Sequence, residues 1–436
     1  MNTIEVKEVV LSAKQADAVE SCCDTKNRVV VVTGAAGTGK TTILRMAYEA
    51  LLEAGYNCVL AAPTGKAAKR IQEVTGIPAM TAHRLLEYTH PGDPDPKTGK
   101  PVGYSYPARC RSNPLESDVV FIDEYTMVNM ELHRNIFDAL PPGAVVRVFG
   151  DNNQLQPIEE DHPMGKPQPP SSFMQMLNNP KIPSVVLDQI FRQGKDSGIL
   201  MNLQQVLRGR TPTRNDQWTM HFTDMPVIEL RDYVLDMMEQ GCDYSSIDNQ
   251  ILTTQNTSWV GTIKLNTMLQ GLYHKKTDPS ITVPRHDWAK HAEEDAQGKK
   301  FIRMFVGDKV IMTSNNYDLN VFNGESGRII EVNDYGEVII DFGDKEQAIP
   351  PILMVQNRYG KTVEIDPRKS IDLGYAITTH KAQGSEYQRV VYMLNNSTTF
   401  MQNRKNLYTA CSRAREHVHI ITDQRSMHVS LAKMGN

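Results

Sequence analysis

The sequence lacks long apolar runs. Nothing in it approaches the roughly 18 consecutive apolar residues of a membrane-spanning helix. Its opening, MNTIEVKEVV, has no basic segment followed by an apolar core, so no secretory signal is visible and no membrane partner is expected. Cysteine is sparse: six in 436 residues, at 22, 23, 58, 110, 242 and 411, with no CxxC spacing. Neither a zinc site nor a disulfide scaffold is expected, and the setting these cysteines suit is a reducing cytoplasm. His417 and His419 alternate within HVHII, which reads as a strand rather than a metal site. An excess of positive charge is also missing. Lys and Arg total 47 against 51 Asp and Glu, a net charge of -4. A chain that holds a polyanion by bulk charge is thereby excluded, and any such contact must come from local groups.

What is present is an alternation of strands and helices in a chain long enough for about three domains. The apolar strand VVVVT at 29–33 runs into a glycine-rich turn and then a helix. That helix has apolar residues at Ile43, Met46, Ala47, Ala50, Leu51 and Ala54 and is closed by Gly55. CVLAA at 58–62, VVFI at 119–122 and VVRVF at 145–149 follow as buried strands, the pattern of βαβ units in a parallel sheet. The segment at 90–114, rich in Pro, Gly and Tyr, is too long for a bare connection and predicts a small hairpin insertion. A second α/β pattern starts at QILTT (250–254). Short strands and Asn323-Gly324 and Tyr335-Gly336 turns interrupt it over about 275–368, and it resumes at LGYAITT (373–379), RVVYML (389–394) and HVHIIT (417–422).

GAAGTGKT at 34–41 matches GxxxxGK[ST] in full, after a strand and before a helix. Gly34, Ala35, Ala36, Gly37, Thr38 and Gly39 form a backbone cradle for phosphate oxygens, continued by Thr42. Lys40 neutralises the β- and γ-phosphates of ATP, and the Thr41 hydroxyl is a ligand for Mg²⁺. Asp123 and Glu124 end the strand VVFI, where one carboxylate holds Mg²⁺ and the other orients and deprotonates the attacking water. Gln154, in GDNNQLQPI just past the fourth strand, is placed to touch the γ-phosphate and report its presence.

With these motifs in order, the chain resembles superfamily 1 DNA helicases of the RecD-like and phage Dda-like group. LSAKQADAV (11–19) is similar to the family's Q motif, which implies that Gln15 reads adenine. AAPTGKAAKR, TAHRLL, FIDEYTMV and VFGDNNQLQPI follow in the family's order. LDQIFRQ (187–193) implies that Arg192 contacts phosphate. AITTHKAQGSEY (376–387) and LYTACSRAREH (407–417) imply that Glu386 contacts the ribose and that Arg413 is the arginine finger. Tyr125-Thr126 stands where the family usually has a small residue and Ser, and the long N-terminal domain of some relatives is not expected.

The resemblance implies an α/β chain of two RecA-like P-loop domains with parallel sheets and ATP between them. Domain 1A is expected over 1–186, with a hairpin insertion at about 88–116. Domain 2A is expected over 187–274 and 369–436, and an SH3-like barrel over 275–368. It further implies a monomer translocating 5′→3′ on single-stranded DNA, unwinding duplex or fork DNA beside single-strand-binding or replication proteins. Thr64, Lys66, Thr81 and His83 would grip the strand from domain 1A, and Thr379, His380 and Lys381 from domain 2A. Tyr104 or Tyr106 in the hairpin would stack on the terminal base pair. Two alternatives remain at this point. One is a DNA-stimulated ATPase that clamps or remodels without unwinding; the other is a P-loop kinase, which leaves the last two motifs unexplained. A GTPase is disfavoured because no NKxD motif occurs.

Overall fold

The computed structural model describes residues 11–88, 106–157, 169–189, 197–275, 277–285, 292–294, 300–316, 318–356, 362–395 and 401–435. The N-terminal half builds a six-stranded sheet from β1 (Val29–Gly34), β2 (Cys58–Ala62), β3 (Ala79–Thr81), β4 (Val119–Ile122), β5 (Val145–Gly150) and β6 (Ser184–Leu187). Its order is β3-β2-β4-β5-β1-β6, with every pairing parallel. Because side chains alternate across a strand, the run of valines in β1 feeds two cores. Val30 and Val32 pack with Ile43 and Ile71, from α2 (Lys40–Glu53) and α3 (Gly65–Thr75), and with Ala18 of α1 (Ala13–Cys23). Val31 packs on the other face with α4 (Ala82–Leu85), with Leu132 and Ile136 of α5 (Met130–Asp138), and with Phe173 of α6 (Ser172–Leu177). The expected strand–turn–helix around the glycine-rich loop is present, and Gly55 closes the region after α2 at φ 89°.

After α7 (Gly198–Leu207), the strand β7 (Trp218–Phe222), α8 (Pro226–Glu239), β8 (Asn249–Thr253) and α9 (Thr262–Tyr273) begin the second half. The chain then makes only antiparallel pairings. β9 (Ser280–Pro284), β10 (Glu293–Glu294) and β11 (Lys300–Phe305) form one small sheet. β12 (Lys309–Met312), β13 (Ser326–Val332), β14 (Val338–Asp341) and β15 (Glu346–Ile349) form another, β16 (Leu353–Gln356) pairs with β17 (Thr362–Ile365), and β18 (Ile371–Leu373) closes on β12. β19 (Ala376–Thr378), β20 (Tyr387–Leu394), α10 (Arg404–Cys411), β21 (Ala414–Thr422) and α11 (Gln424–Ala432) complete the chain. The second parallel sheet has the order β19-β8-β20-β21-β7, and His417 and His419 lie on β21.

The segment expected to resume the α/β pattern at 373–379 holds β19 in the parallel sheet, while its first residue, Leu373, ends β18 of the antiparallel insertion. The break falls at Gly374, whose Cα approaches β12 so closely that a Cβ would stand 2.8 Å from the Val310 carbonyl carbon. Only glycine lets the chain turn from one sheet to the other there.

Candidate active site

The phosphate cradle is built by close backbone packing at the end of β1. A Cβ on Gly34 would meet Thr38 Oγ1 at 2.6 Å and Leu187 Cβ at 2.9 Å, while Gly37 and Gly39 turn the loop at φ 80° and 87°. Lys40 curls back, its ammonium donating to the carbonyls of Gly34 (2.7 Å) and Ala35 (3.1 Å). The loop is braced from α1. Gln15 Nε2 donates to Thr38 O at 3.1 Å, and its Oε1 accepts from Ser12 N at 2.9 Å in a capping box. Both ends of that amide are thus occupied by structure, and here Gln15 shapes the loop rather than facing the cavity.

Asp123 and Glu124 stand where β4 ends. Burial, reinforced by the neighbouring Glu124 charge, pushes the Asp123 carboxyl well above the ordinary carboxylate range. Glu124 adopts φ 50°, an uncommon backbone state for a residue with a side chain, and its Oε2 is buried with no hydrogen-bond partner. Gln154, almost fully buried, donates weakly to Asp151 (3.4 Å), and its Oε1 is likewise unpartnered. Orphaned oxygens of this kind, beside two crowded carboxylates and the Thr41 hydroxyl, are the donor set that a small hard cation and a phosphate-bound water satisfy.

These groups open onto one cavity of about 400 Å³ that both parallel-sheet halves line. The first half contributes Gly37, Lys40, Thr41, Asp123, Glu124 and Gln154; the second contributes Gly384, Glu386, Ser412 and Arg413. The Arg413 guanidinium is buried and held by the Thr409 carbonyl (3.1 Å), the Ser385 carbonyl (3.3 Å) and Ser412 Oγ (3.1 Å). Glu386 accepts from Arg70 across the cavity at 2.5 Å and from Arg415 at 2.9 Å. Its expected contact with a ribose therefore competes with two arginines.

Sequence reasoning passed over Arg70, Tyr408, Thr409 and Gln383. The Tyr408 hydroxyl accepts from Ala36 N (3.2 Å) and donates to Asp151 (2.9 Å). Thr409 Oγ1 accepts from Leu155 N (3.0 Å), and Gln383 Nε2 donates to the Leu155 carbonyl (3.0 Å). The loop carrying Gln154 is thus clamped by the opposite half. All four lie within motifs already quoted, but the partner of each is about 230 or more residues away and cannot be read from local spacing.

The expected strand-gripping residues are not all presented. The hydroxyls of Thr64 and Thr81 are helix N-caps, accepting from Ala67 N (3.2 Å) and Arg84 N (3.1 Å). The Lys66 ammonium lies 5.1 Å from the ring centroid of Tyr387 in the other half. Thr379 is fully buried, bonded through its amide and hydroxyl to the Thr253 carbonyl, so it offers no surface to a strand in this state. His83 and His380 are partly covered, and burial holds both imidazoles below their ordinary range, His380 at about 4. Lys381 is exposed and Tyr106 half-buried. Arg192, Tyr104 and most of the expected hairpin lie outside the described residues.

Comparison with known proteins agrees with the order of these elements. The AAA domain family model matches residues 10–221, and the UvrD-like helicase C-terminal domain model matches 373–421. The ATP-dependent RecD2 DNA helicase of Deinococcus radiodurans is 29% identical over 409 residues, which cover 93% of this chain and 48% of that protein. The RecBCD enzyme subunit RecD of Buchnera aphidicola is 25% identical over 457 residues, 92% of this chain and 70% of its own. Over more than nine-tenths of its length the chain is thus similar to DNA helicases of the RecD type. Its fold is shared with the Pif1 helicase from Bacteroides solved with ADP-AlF3 and ssDNA, at 20% identity and TM-score 0.60, covering 96% and 94% of the two chains. It is also shared with Pif1 helicase from Candida albicans, at 19% identity and TM-score 0.55, covering 97% and 96%. The chain spans about half the length of the Deinococcus RecD2 relative. Among the described residues, no helix is long and apolar enough to cross a membrane.

Proposed function

We propose that this chain is a superfamily 1, ATP-dependent DNA helicase that moves 5′→3′ on single-stranded DNA and separates duplex or forked DNA. The observation that carries the reading is the shared cavity. Lys40, Asp123, Glu124 and Gln154 face Arg413 across it from two different sheets. Charge developing on a γ-phosphoryl group needs cations from both walls, so hydrolysis depends on how the halves close. Closure and reopening then displace one half along a strand bound across both.

In this scheme Lys40 and the loop amides hold the phosphates of ATP, Glu124 takes a proton from the attacking water, and Gln154 orients it. Arg413 leaves its carbonyl partners to meet the γ-phosphate, joined by Arg192. Thr41 and Asp123 would hold Mg²⁺, which when bound neutralises phosphate charge. Gln15 meets the adenine and Glu386 the ribose once each leaves its present partners. Residues 1–186 act as domain 1A, 187–274 with 369–436 as domain 2A, and the antiparallel sheets within 275–368 as an SH3-like barrel. The enzyme works in the cytoplasm as a monomer on strands exposed beside replication or single-strand-binding proteins. Thr64, Lys66, Thr81, His83, His380 and Lys381 contact the strand once the halves part, with Tyr104 or Tyr106 at the duplex end.

The test is ATP hydrolysis with and without a single-stranded oligonucleotide. Strong stimulation by DNA is expected. A rate indifferent to DNA would point instead to a P-loop phosphotransferase.

A further inference from the structure

Trp259 is 69% exposed, whereas Trp218 is fully buried. A large apolar ring in water is not explained by the core, and its position in the fold is specific. Thr253, the last residue of β8, ties two loops together. Its carbonyl accepts from the amide (2.9 Å) and hydroxyl (3.3 Å) of Thr379, and its own hydroxyl donates to the carbonyl of Val260 at 2.6 Å. The loop bearing Trp259 and the loop bearing the exposed Lys381 therefore leave the sheet at neighbouring points, on the C-terminal edge where parallel sheets receive ligands. The ammonium of Lys264, in the first turn of α9, sits 3.6 Å from the centroid of the Trp259 ring.

We propose that Trp259, backed by Lys264, is a nucleobase-stacking platform for the single DNA strand on the second half of the molecule. This rests on the helicase reading above and adds a contact of a different chemical kind. An indole with a cation against it and most of its surface in water offers a π-face to any base, without reading sequence. Stacking also fits the charge balance. In a chain of net charge -4, a base-directed contact grips the strand without a strongly basic surface. It is insensitive to counterions, unlike a phosphate contact.

The test compares wild type, Trp259→Ala and Trp259→Phe in binding to oligo-dT of about 12 nucleotides and to an abasic strand of equal length. The expected result is about tenfold weaker oligo-dT binding by Trp259→Ala, recovery of most of it by Trp259→Phe, and no difference among the three on the abasic strand. The slope of affinity against salt should be the same for all. Equal oligo-dT affinity of wild type and Trp259→Ala, with DNA-stimulated hydrolysis intact in both, would overturn the platform and leave the helicase reading standing. An equal loss on the abasic strand would overturn it too, since the ring would then act on the backbone or the fold. If wild type neither binds oligo-dT nor hydrolyses ATP faster in its presence, the helicase reading falls and the platform with it.

Discussion

The hydroxyl of Tyr408 accepts the amide proton of Ala36 at 3.2 Å, joining the second half of the molecule to the phosphate-binding loop of the first. The same oxygen donates to Asp151 at 2.9 Å, and the next residue, Thr409, holds the Leu155 amide with its hydroxyl and Arg413 with its carbonyl. Loop, Gln154 segment and Arg413 thus form one hydrogen-bonded unit. Tyr408→Phe removes only the hydroxyl. The expected outcome is a fall of about 10- to 150-fold in DNA-stimulated kcat, the size of one buried bond to a carboxylate, with KM for ATP within about twofold. Steady-state kinetics checks this, and an unchanged kcat would remove Tyr408 from the coupling.

Lys40 and Arg413 line one cavity from opposite walls, and in the proposed scheme, where both meet the phosphates, their variants should differ. Lys40→Ala is expected to abolish turnover. Arg413→Ala should lower kcat by about 10³–10⁵-fold while nucleotide binding is largely kept. Titration with a fluorescent nucleotide beside a hydrolysis assay separates the two effects. Near-normal DNA-stimulated hydrolysis by Arg413→Ala would sink the arginine-finger role.

Arg147, fully buried on β5, holds α1 in place. Its guanidinium donates to the carbonyls of Cys22 (2.5 Å), Asp24 (2.9 Å) and Asn27 (3.0 Å) at the end of that helix. Arg147→Ala leaves these carbonyls unsatisfied beside a cavity. A loss of about 3–5 kcal/mol is expected in denaturant unfolding, and because α1 carries Gln15, nucleotide affinity should weaken as well.

Lys309 gives a pH signature. It is fully buried on β12, donates to the Asn249 carbonyl at 2.5 Å, and burial lowers its ammonium to about 7. Between pH 7 and the ordinary lysine range the unfolded chain binds more protons than the folded one, so stability rises with pH across that window. Lys309→Met should stabilise the fold at pH 7 by about 1–3 kcal/mol, with the advantage fading toward pH 10. Thermal melts of both proteins across that range check it.

The nucleotide side of the site was legible because its signals are local. GAAGTGKT states its turn, its helix start and its phosphate chemistry within eight residues, and Asp123-Glu124 follows directly from a run of buried strand residues. What could not be read depends on groups far apart in sequence. The Gln15 amide is tied to Ser12 and Thr38, and Thr379 is sealed against Thr253, because tertiary packing decides which polar group is occupied. The strand pattern gave no sign that the chain changes sheets at Gly374, since both sheets bury the same residue types on either side of it. β3, β6 and β7 went unseen for a related reason. They are short edge strands, most of whose residues are only partly buried or exposed, so they lack the apolar run that marks a central strand.

The central claim is that ATP hydrolysis in the shared cavity drives strand separation. The most direct measurement is unwinding of duplexes carrying a single 5′ tail, a single 3′ tail or a fork, with and without ATP, under single-turnover conditions. The account predicts ATP-dependent separation of the 5′-tailed and forked substrates, little with the 3′ tail alone, and none with Lys40→Ala. DNA-stimulated hydrolysis without separation of any of the three duplexes would contradict it.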